Sequence, residues 1–139
     1  MLLLDTHTWI WAVEGDTRRI GRRARQLLTR ADADASIRIS PASIFEVVAL
    51  CAAGRLRLSQ PPERWIRDAL DASGARLAEL SATVALDAGY IPRTALADPL
   101  DRLLVATARL LDATLLTADE AILVYGQQTR NVHVRNAAS

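Results

Sequence analysis

The sequence contains no lysine; all seventeen of its basic residues are arginine. That absence excludes chemistry needing a side-chain amine, such as a Schiff base, a P-loop lysine on a nucleotide's phosphates, or the lysine of a receiver domain. Cysteine is nearly as scarce. The lone Cys51 cannot form an intrachain disulfide, and its place in the apolar run Val47-Val48-Ala49-Leu50-Cys51 reads as a buried thiol in a reducing compartment. Aromatic residues are only 4% of the chain, and its two histidines, His7 and His133, lie far apart, so no Cys/His cluster suggests zinc. Long hydrophobic runs are missing too. Leu2-Leu3-Leu4 is cut by Asp5, too early for a signal peptide and without a basic lead-in. The run from Leu103 to Leu116 carries Arg109 and Asp112 and falls short of the roughly 20 apolar residues a spanning helix needs. No membrane segment and a cytoplasmic location are expected.

What is present is an ordinary globular composition. Half of the 139 residues are apolar and the net charge is +1, which suits one domain over residues 1–139 and gives no bulk sign of a nucleic-acid partner. Short apolar runs alternate with longer helical patterns. Leu2–Leu4, Ile37–Ile39, Arg76–Leu80, Thr114–Thr117 and Val132–Val134 read as strands. Helices are expected over Thr6–Val13, Thr17–Ala31, Pro41 to the stop at Gly54, Pro62–Ser73, a segment capped by Ser81, one starting at Asp98-Pro99 with Leu100, Leu103, Leu104, Leu110 and Leu111 inward, and Asp119–Val124. Such alternation implies an α/β fold in three layers, a central parallel sheet of four to five strands flanked by helices. In sheets of this kind the ligand site lies beyond the carboxyl ends of the strands.

The acids fall where that rule is informative. Asp5 ends the first strand, Asp119 lies just past the fourth, Glu46 is on the helix after the second, and Asp98 and Asp101 open the helix before the fourth. Singly, Asp5, Asp98 and Asp119 suit turn or helix-cap roles, and Asp101 can reach back as in a capping box. Glu46 sits among Ile44, Phe45, Val47, Val48 and Leu50, where an ionised carboxylate needs an arginine partner or a metal. Together, four or five carboxylates at one sheet edge would repel, and a hard divalent cation, Mg²⁺ or Mn²⁺, reverses that penalty. Acidic, water-rich metal sites of this kind hydrolyse phosphoryl and phosphodiester groups.

Four segments, Leu3-Leu4-Asp5-Thr6-His7, Ser40 to Glu46, Asp98 to Ala108 and Leu115 to Asp119, in this order, resemble PIN-domain proteins and, within that family, VapC-like toxins. The resemblance covers Met1 to about Tyr125. It implies a PIN-like parallel sheet, a Mg²⁺- or Mn²⁺-dependent endoribonuclease acting as the toxin of a toxin–antitoxin pair, a cognate VapB-like antitoxin and a homodimer. Carried over by position, Asp5, Glu46, Asp101 and Asp119 are the catalytic acids. Asp5, Asp98, Asp101 and Asp119 are the candidate metal ligands, with either Asp98 or Asp101 facing the ion. Thr6 and Thr117 stand beside ligands as candidate hydrogen-bond supports, with local backbone satisfaction as the alternative.

Arg18, Arg19, Arg22, Arg23, Arg25 and Arg30 fall within one expected helix that has no acid from Thr17 to Ala31. Cations near a helix N-terminus oppose the dipole, so Arg18 and Arg19, with Arg22 and Arg23, are candidates for RNA phosphates or an acidic antitoxin segment. Arg102 is a further candidate for a phosphate, against a salt bridge to a neighbouring acid. Trp9, Trp11 and Trp65 read as core, except that Trp9 and Trp11 cannot both point inward easily, leaving one for a groove. His7 is expected to satisfy a local hydrogen bond. Two other readings compete. An aspartyl-nucleophile phosphatase of the haloacid dehalogenase type needs an Asp where His7 stands, and a lysine. A PIN-like binding module without catalysis would keep the fold and the partner alone.

Overall fold

The computed structural model describes residues 1–72 and 74–139, in the order β1 (Leu2–Leu4), α1 (Thr6–Glu14), α2 (Arg22–Ala33), β2 (Ile37–Ile39), α3 (Pro41–Ala52), α4 (Pro62–Asp71), β3 (Ala75–Leu77), α5 (Ala82–Tyr90), α6 (Pro99–Leu111), β4 (Thr114–Thr117), α7 (Glu120–Thr129) and β5 (His133–Asn136). All five strands are parallel, in the order β3-β2-β1-β4-β5. Strand alternation splits the core into two. Leu2, Leu4 and Leu116 pack with Trp9, Ala24, Val47 and Trp65 of α1 to α4. Leu3 and Leu115 pack on the other face with Leu104, Val105, Ile122 and Tyr125 of α6 and α7, and α5 lies outside α6 through Val84, Ala88 and Ala106. This is the expected three-layer α/β/α architecture. Right-handed crossovers explain it: the chain moves outward from β1 to β3 with helices on one face, then returns through β4 to β5 with helices on the other. The direction reverses between β1 and β4, which makes their carboxyl ends the topological switch point.

Local sequence explains most boundaries. Ser40, with Pro41 at the first helical position, caps α3 through a hydroxyl that accepts from Ala42 N–H, and Gly54 follows the helix at φ +72°. Ser81 caps α5 through Val84 N–H. Trp9 and Trp65 meet edge to face at 5.1 Å and tie α1 to α4.

Several boundaries differ from the sequence reading. The helix expected from Thr17 begins only at Arg22, because Ile20 is buried and Gly21 is held extended: Gly21 N–H donates to Ala137 O and Ala24 N–H to Ser139 O. A Cβ on Gly21 would stand 2.2 Å from the backbone of Ser139, so only glycine admits this distant cap. Arg18 and Arg19 therefore precede the helix, and the dipole argument passes to Arg22 and Arg23 alone. Leu110 faces outward, 54% exposed, since it lies past the stretch of α6 that α5 covers. α7 runs on to Thr129 because Tyr125 is buried and Gly126 lets the helix sit directly on Val134. The third strand begins one residue earlier than expected and ends at Leu77, and β5 lies two residues later at its end. Ser73, the expected end of α4, lies outside the described residues. Among those residues, no helix is long and apolar enough to cross a membrane.

Candidate functional site

The pairing of Leu4 with Leu116 places Asp5 opposite Thr117, one residue beyond the last pair of β1 and β4. Asp5 is buried, and both its oxygens are engaged. Oδ1 accepts from Thr8 N–H at 2.9 Å, capping α1, and Oδ2 accepts from the Thr117 hydroxyl. The same Thr117 oxygen accepts from Asp119 N–H at 2.9 Å. Thr117 thus joins the acid that follows β1 to the acid that follows β4. Asp119 in turn caps α7, its Oδ1 accepting from Ala121 and Ile122 N–H. Asp98 caps α6 through Leu100 N–H at 2.9 Å, and Asp101 stands in the first turn of that helix. Because each helix runs antiparallel to the strands, the positive ends of α1, α6 and α7 all face this edge, which favours carboxylates there.

Glu46 arrives from α3. The apolar residues expected around it are not all buried: Ala42, Ser43 and Val47 are, but Phe45 is 65% and Val48 40% exposed, and Glu46 itself is half-buried. No arginine pairs with it among the described residues. Sequence reasoning missed Ser43, whose buried hydroxyl accepts from Thr6 Oγ1 at 3.0 Å and ties α1 to α3. Its position three residues before Glu46, on the same helix face, was the available signal. Thr6 therefore braces the helix carrying Glu46 instead of touching an acid.

Electrostatics show that these side chains share one field. Asp101 is pushed up from the usual carboxylate range to about 7, first by burial and then by the negative charges of Asp98, Asp119, Glu46 and Asp5. Among the described residues, no three His, Cys, Asp or Glu side chains close into a group that could hold a metal unaided. A magnesium-type ion needs no such cage. It takes one or two carboxylates, keeps several waters and prefers oxygen donors only. Hydrogen bonding among the described residues leaves lone pairs free on Asp5 and does not occupy the second carboxylate oxygen of Asp98 or Asp119. The donor set fits a hard divalent cation.

The basic residues divide. Arg19 pairs with Asp16 at 3.4 Å and lies over the Trp11 ring at 5.6 Å, while Arg18 is exposed in the same turn. Arg102, where a salt bridge to a neighbouring acid was the alternative, makes none among the described residues, and its buried Nε has no hydrogen-bond partner among them. His7 is exposed and makes no hydrogen bond among the described residues; its ring lies 6.1 Å from that of Trp11. His133 is exposed on β5, 3.6 Å from Asp112. Cys51 is a free, half-buried thiol rather than a fully buried one. Trp9 is core, and Trp11 lines a groove of about 690 Å³ between α1, α2 and α4, floored by Trp9 and Trp65 and rimmed by Glu14, Asp16 and Asp68. None of Asp5, Glu46, Asp98, Asp101 and Asp119 lines that groove.

Comparison with known proteins agrees with this fold. A family model described as PIN domain matches residues 2–126. Ribonuclease VapC22 of Mycobacterium tuberculosis is 30% identical over 107 residues, which span 77% of this chain and 78% of that protein. In structure the chain is similar to VapBC2 from Rickettsia felis bound to a DNA fragment from their promoter, with TM-score 0.69, 17% identity and 97% of both chains covered. It is similar as well to VapBC-1 from nontypeable Haemophilus influenzae, with TM-score 0.63, 20% identity and 99% and 98% covered.

Proposed function

The chain belongs to the PIN-domain family, and from that premise we propose that it is a divalent-metal-dependent endoribonuclease, the toxin of a toxin–antitoxin pair that limits translation and growth. The observation that supports the reading is that burial first, and then the charges of Asp98, Asp119, Glu46 and Asp5, all raise the pKa of the Asp101 carboxyl, as acids gathered near one end of the sheet would. Mg²⁺ or Mn²⁺, when bound, supplies charge neutralisation and an activated water for in-line attack on a phosphodiester. Asp5, Asp101 and Asp119 would hold the ion, with Asp98 beside them and Glu46 orienting what they hold. Thr117 fixes the Asp5 carboxylate, and the Thr6–Ser43 hydrogen bond fixes α3 against α1. Arg102, without an ion pair and next to Asp101, is available to a substrate phosphate.

A cytoplasmic location goes with that role. The apolar groove beside Trp11 supports a VapB-like antitoxin, since an apolar segment laid there would cover the exposed indole edge. Exposed Phe45 and Val48 on α3 support a homodimer.

The test is RNA cleavage by purified, partner-free protein. Cutting is expected with Mg²⁺ or Mn²⁺ and none with EDTA. Metal binding with no cutting across a broad RNA panel would instead favour a non-catalytic binding module. A second expected outcome concerns Thr117. Thr117→Val removes the hydroxyl from Asp5 and is expected to lower metal affinity and cleavage by about 10–100-fold. Thr117→Ser should restore both, and equal activity in all three proteins would remove Thr117 from the site.

A further inference from the structure

On the β5 side of the sheet, α2 and α7 face each other across the edge strand and leave a groove of about 800 Å³. The α2 wall presents Arg23 and Arg30, two helical turns or roughly 10 Å apart. The α7 wall presents Leu123 and Val124, and Arg135 rises from β5. None of these three arginines has an ion-pair partner among the described residues, and Glu120 is the one acid among the residues lining the groove. Unpaired guanidinium groups around a single cleft raise its potential and attract a polyanion.

The groove comes near the acids at one end, through residues that neighbour them in the sheet and in the chain. Asn136 at its upper end is the register partner of Thr117, whose hydroxyl holds Asp5, so the two lie one strand apart, about 4.8 Å. Glu120 in its wall follows Asp119 directly. A cluster of five carboxylates repels the very phosphates it would cut, so a strand must be held by charge outside it. We propose that the α2–α7 groove carries the phosphodiester backbone of single-stranded RNA leading from the acids, with Arg23, Arg30 and Arg135 on its phosphates and Leu123 and Val124 against its bases. The proposal rests on the ribonuclease reading above.

Binding is measured in EDTA, where nothing is cut, by anisotropy of a labelled single-stranded oligoribonucleotide across a salt series. Arg30→Gln/Arg135→Gln is expected to raise Kd at least about tenfold and to lower the slope of log K against log salt by about 1.4, near 0.7 for each lost phosphate contact. Both residues are exposed, so the fold should survive, as thermal melting would verify. The double Lys variant should keep the slope, and Arg76→Gln on the opposite edge strand should change neither quantity. A double Gln variant with wild-type Kd and slope, in a protein that still cuts RNA with metal, would overturn the groove and leave the ribonuclease standing. Unchanged RNA affinity with lost binding of polyglutamate would reassign the groove to an acidic peptide. A wild-type protein that neither binds nor cuts RNA would overturn both.

Discussion

Asp5→Asn is expected to reduce metal-dependent RNA cleavage by at least about 10³-fold while leaving the fold nearly intact; a loss of about 4 kcal/mol of transition-state stabilisation corresponds to that factor. The two effects separate because Asp5 does two things with two oxygens. Its Oδ1 caps α1 through Thr8 N–H, and asparagine caps as well as aspartate. Its Oδ2 receives the Thr117 hydroxyl, which can rotate to accept from the new amide instead. What disappears is the formal charge at the centre of the crevice, which a hard cation requires and a cap does not. Rates with Mg²⁺ or Mn²⁺ and a thermal melt of the same preparation check this. Full activity in the variant would remove Asp5 from the chemistry, and a collapsed melting transition would show its main role to be structural.

Asp101→Asn should do something less usual: abolish cleavage and make the metal-free protein more stable. In the fold Asp101 holds its proton up to a pH of about 7, against 3.8 when unperturbed, because burial and then Asp98, Asp119, Glu46 and Asp5 all oppose its charge. Below pH 3.8 it is protonated in both states and contributes nothing. Between the two values the folded state binds the extra proton, so stability falls as pH rises, and above about 7 the whole penalty is present. Three units would amount to roughly 4 kcal/mol, and discounting for the part of Asp101 open to solvent leaves about 2. Asparagine removes that penalty. In EDTA at pH 8 the variant should melt several degrees above wild type, and the gap should close as the pH is lowered toward 4. Added Mg²⁺ or Mn²⁺ should raise the wild-type melting temperature more than the variant's, since binding to the native state alone is stabilising. An equal or lower melting temperature for the variant in EDTA would mean that Asp101 is not under strain from its neighbours.

Both outcomes depend on acids whose importance was partly legible along the chain. Asp5, Asp98 and Asp119 each follow or precede a strong boundary signal, and their capping roles are local: a carboxylate two or three residues before the N–H it accepts from. The alternation of apolar runs and helical periods likewise specified a parallel α/β sheet, because a short strand that is apolar on both faces needs the apolar stripes of helices on each side. The place of the acids at strand ends then followed from topology rules alone. Glu46 was the weaker inference. The run around it suggested a helix apolar on nearly every side, whereas α3 buries only the face that carries Ser43 and Val47.

Sequence by itself therefore determined the fold class and the strand positions of β1, β2 and β4, since these rest on periodicity and on bonds between near neighbours, while the acids were singled out by their places at element ends and by the family resemblance. Tertiary structure decided whatever rests on residues distant in sequence. The start of α2 depends on Ala137 and Ser139, whose carbonyls cap it, and the orientation of Asp5 depends on a hydroxyl 112 residues away. The shift of Asp101 comes first from its burial and then from nearby charges, among them Asp119, Glu46 and Asp5 from other segments. The basic groove joins Arg23 and Arg30 to Arg135 across the sheet edge, a juxtaposition that only the parallel register of β4 with β5 and the packing of α7 on it bring about. Coulomb energy and hydrogen bonding depend on distance in space, and the chain order of a doubly wound sheet does not carry that distance.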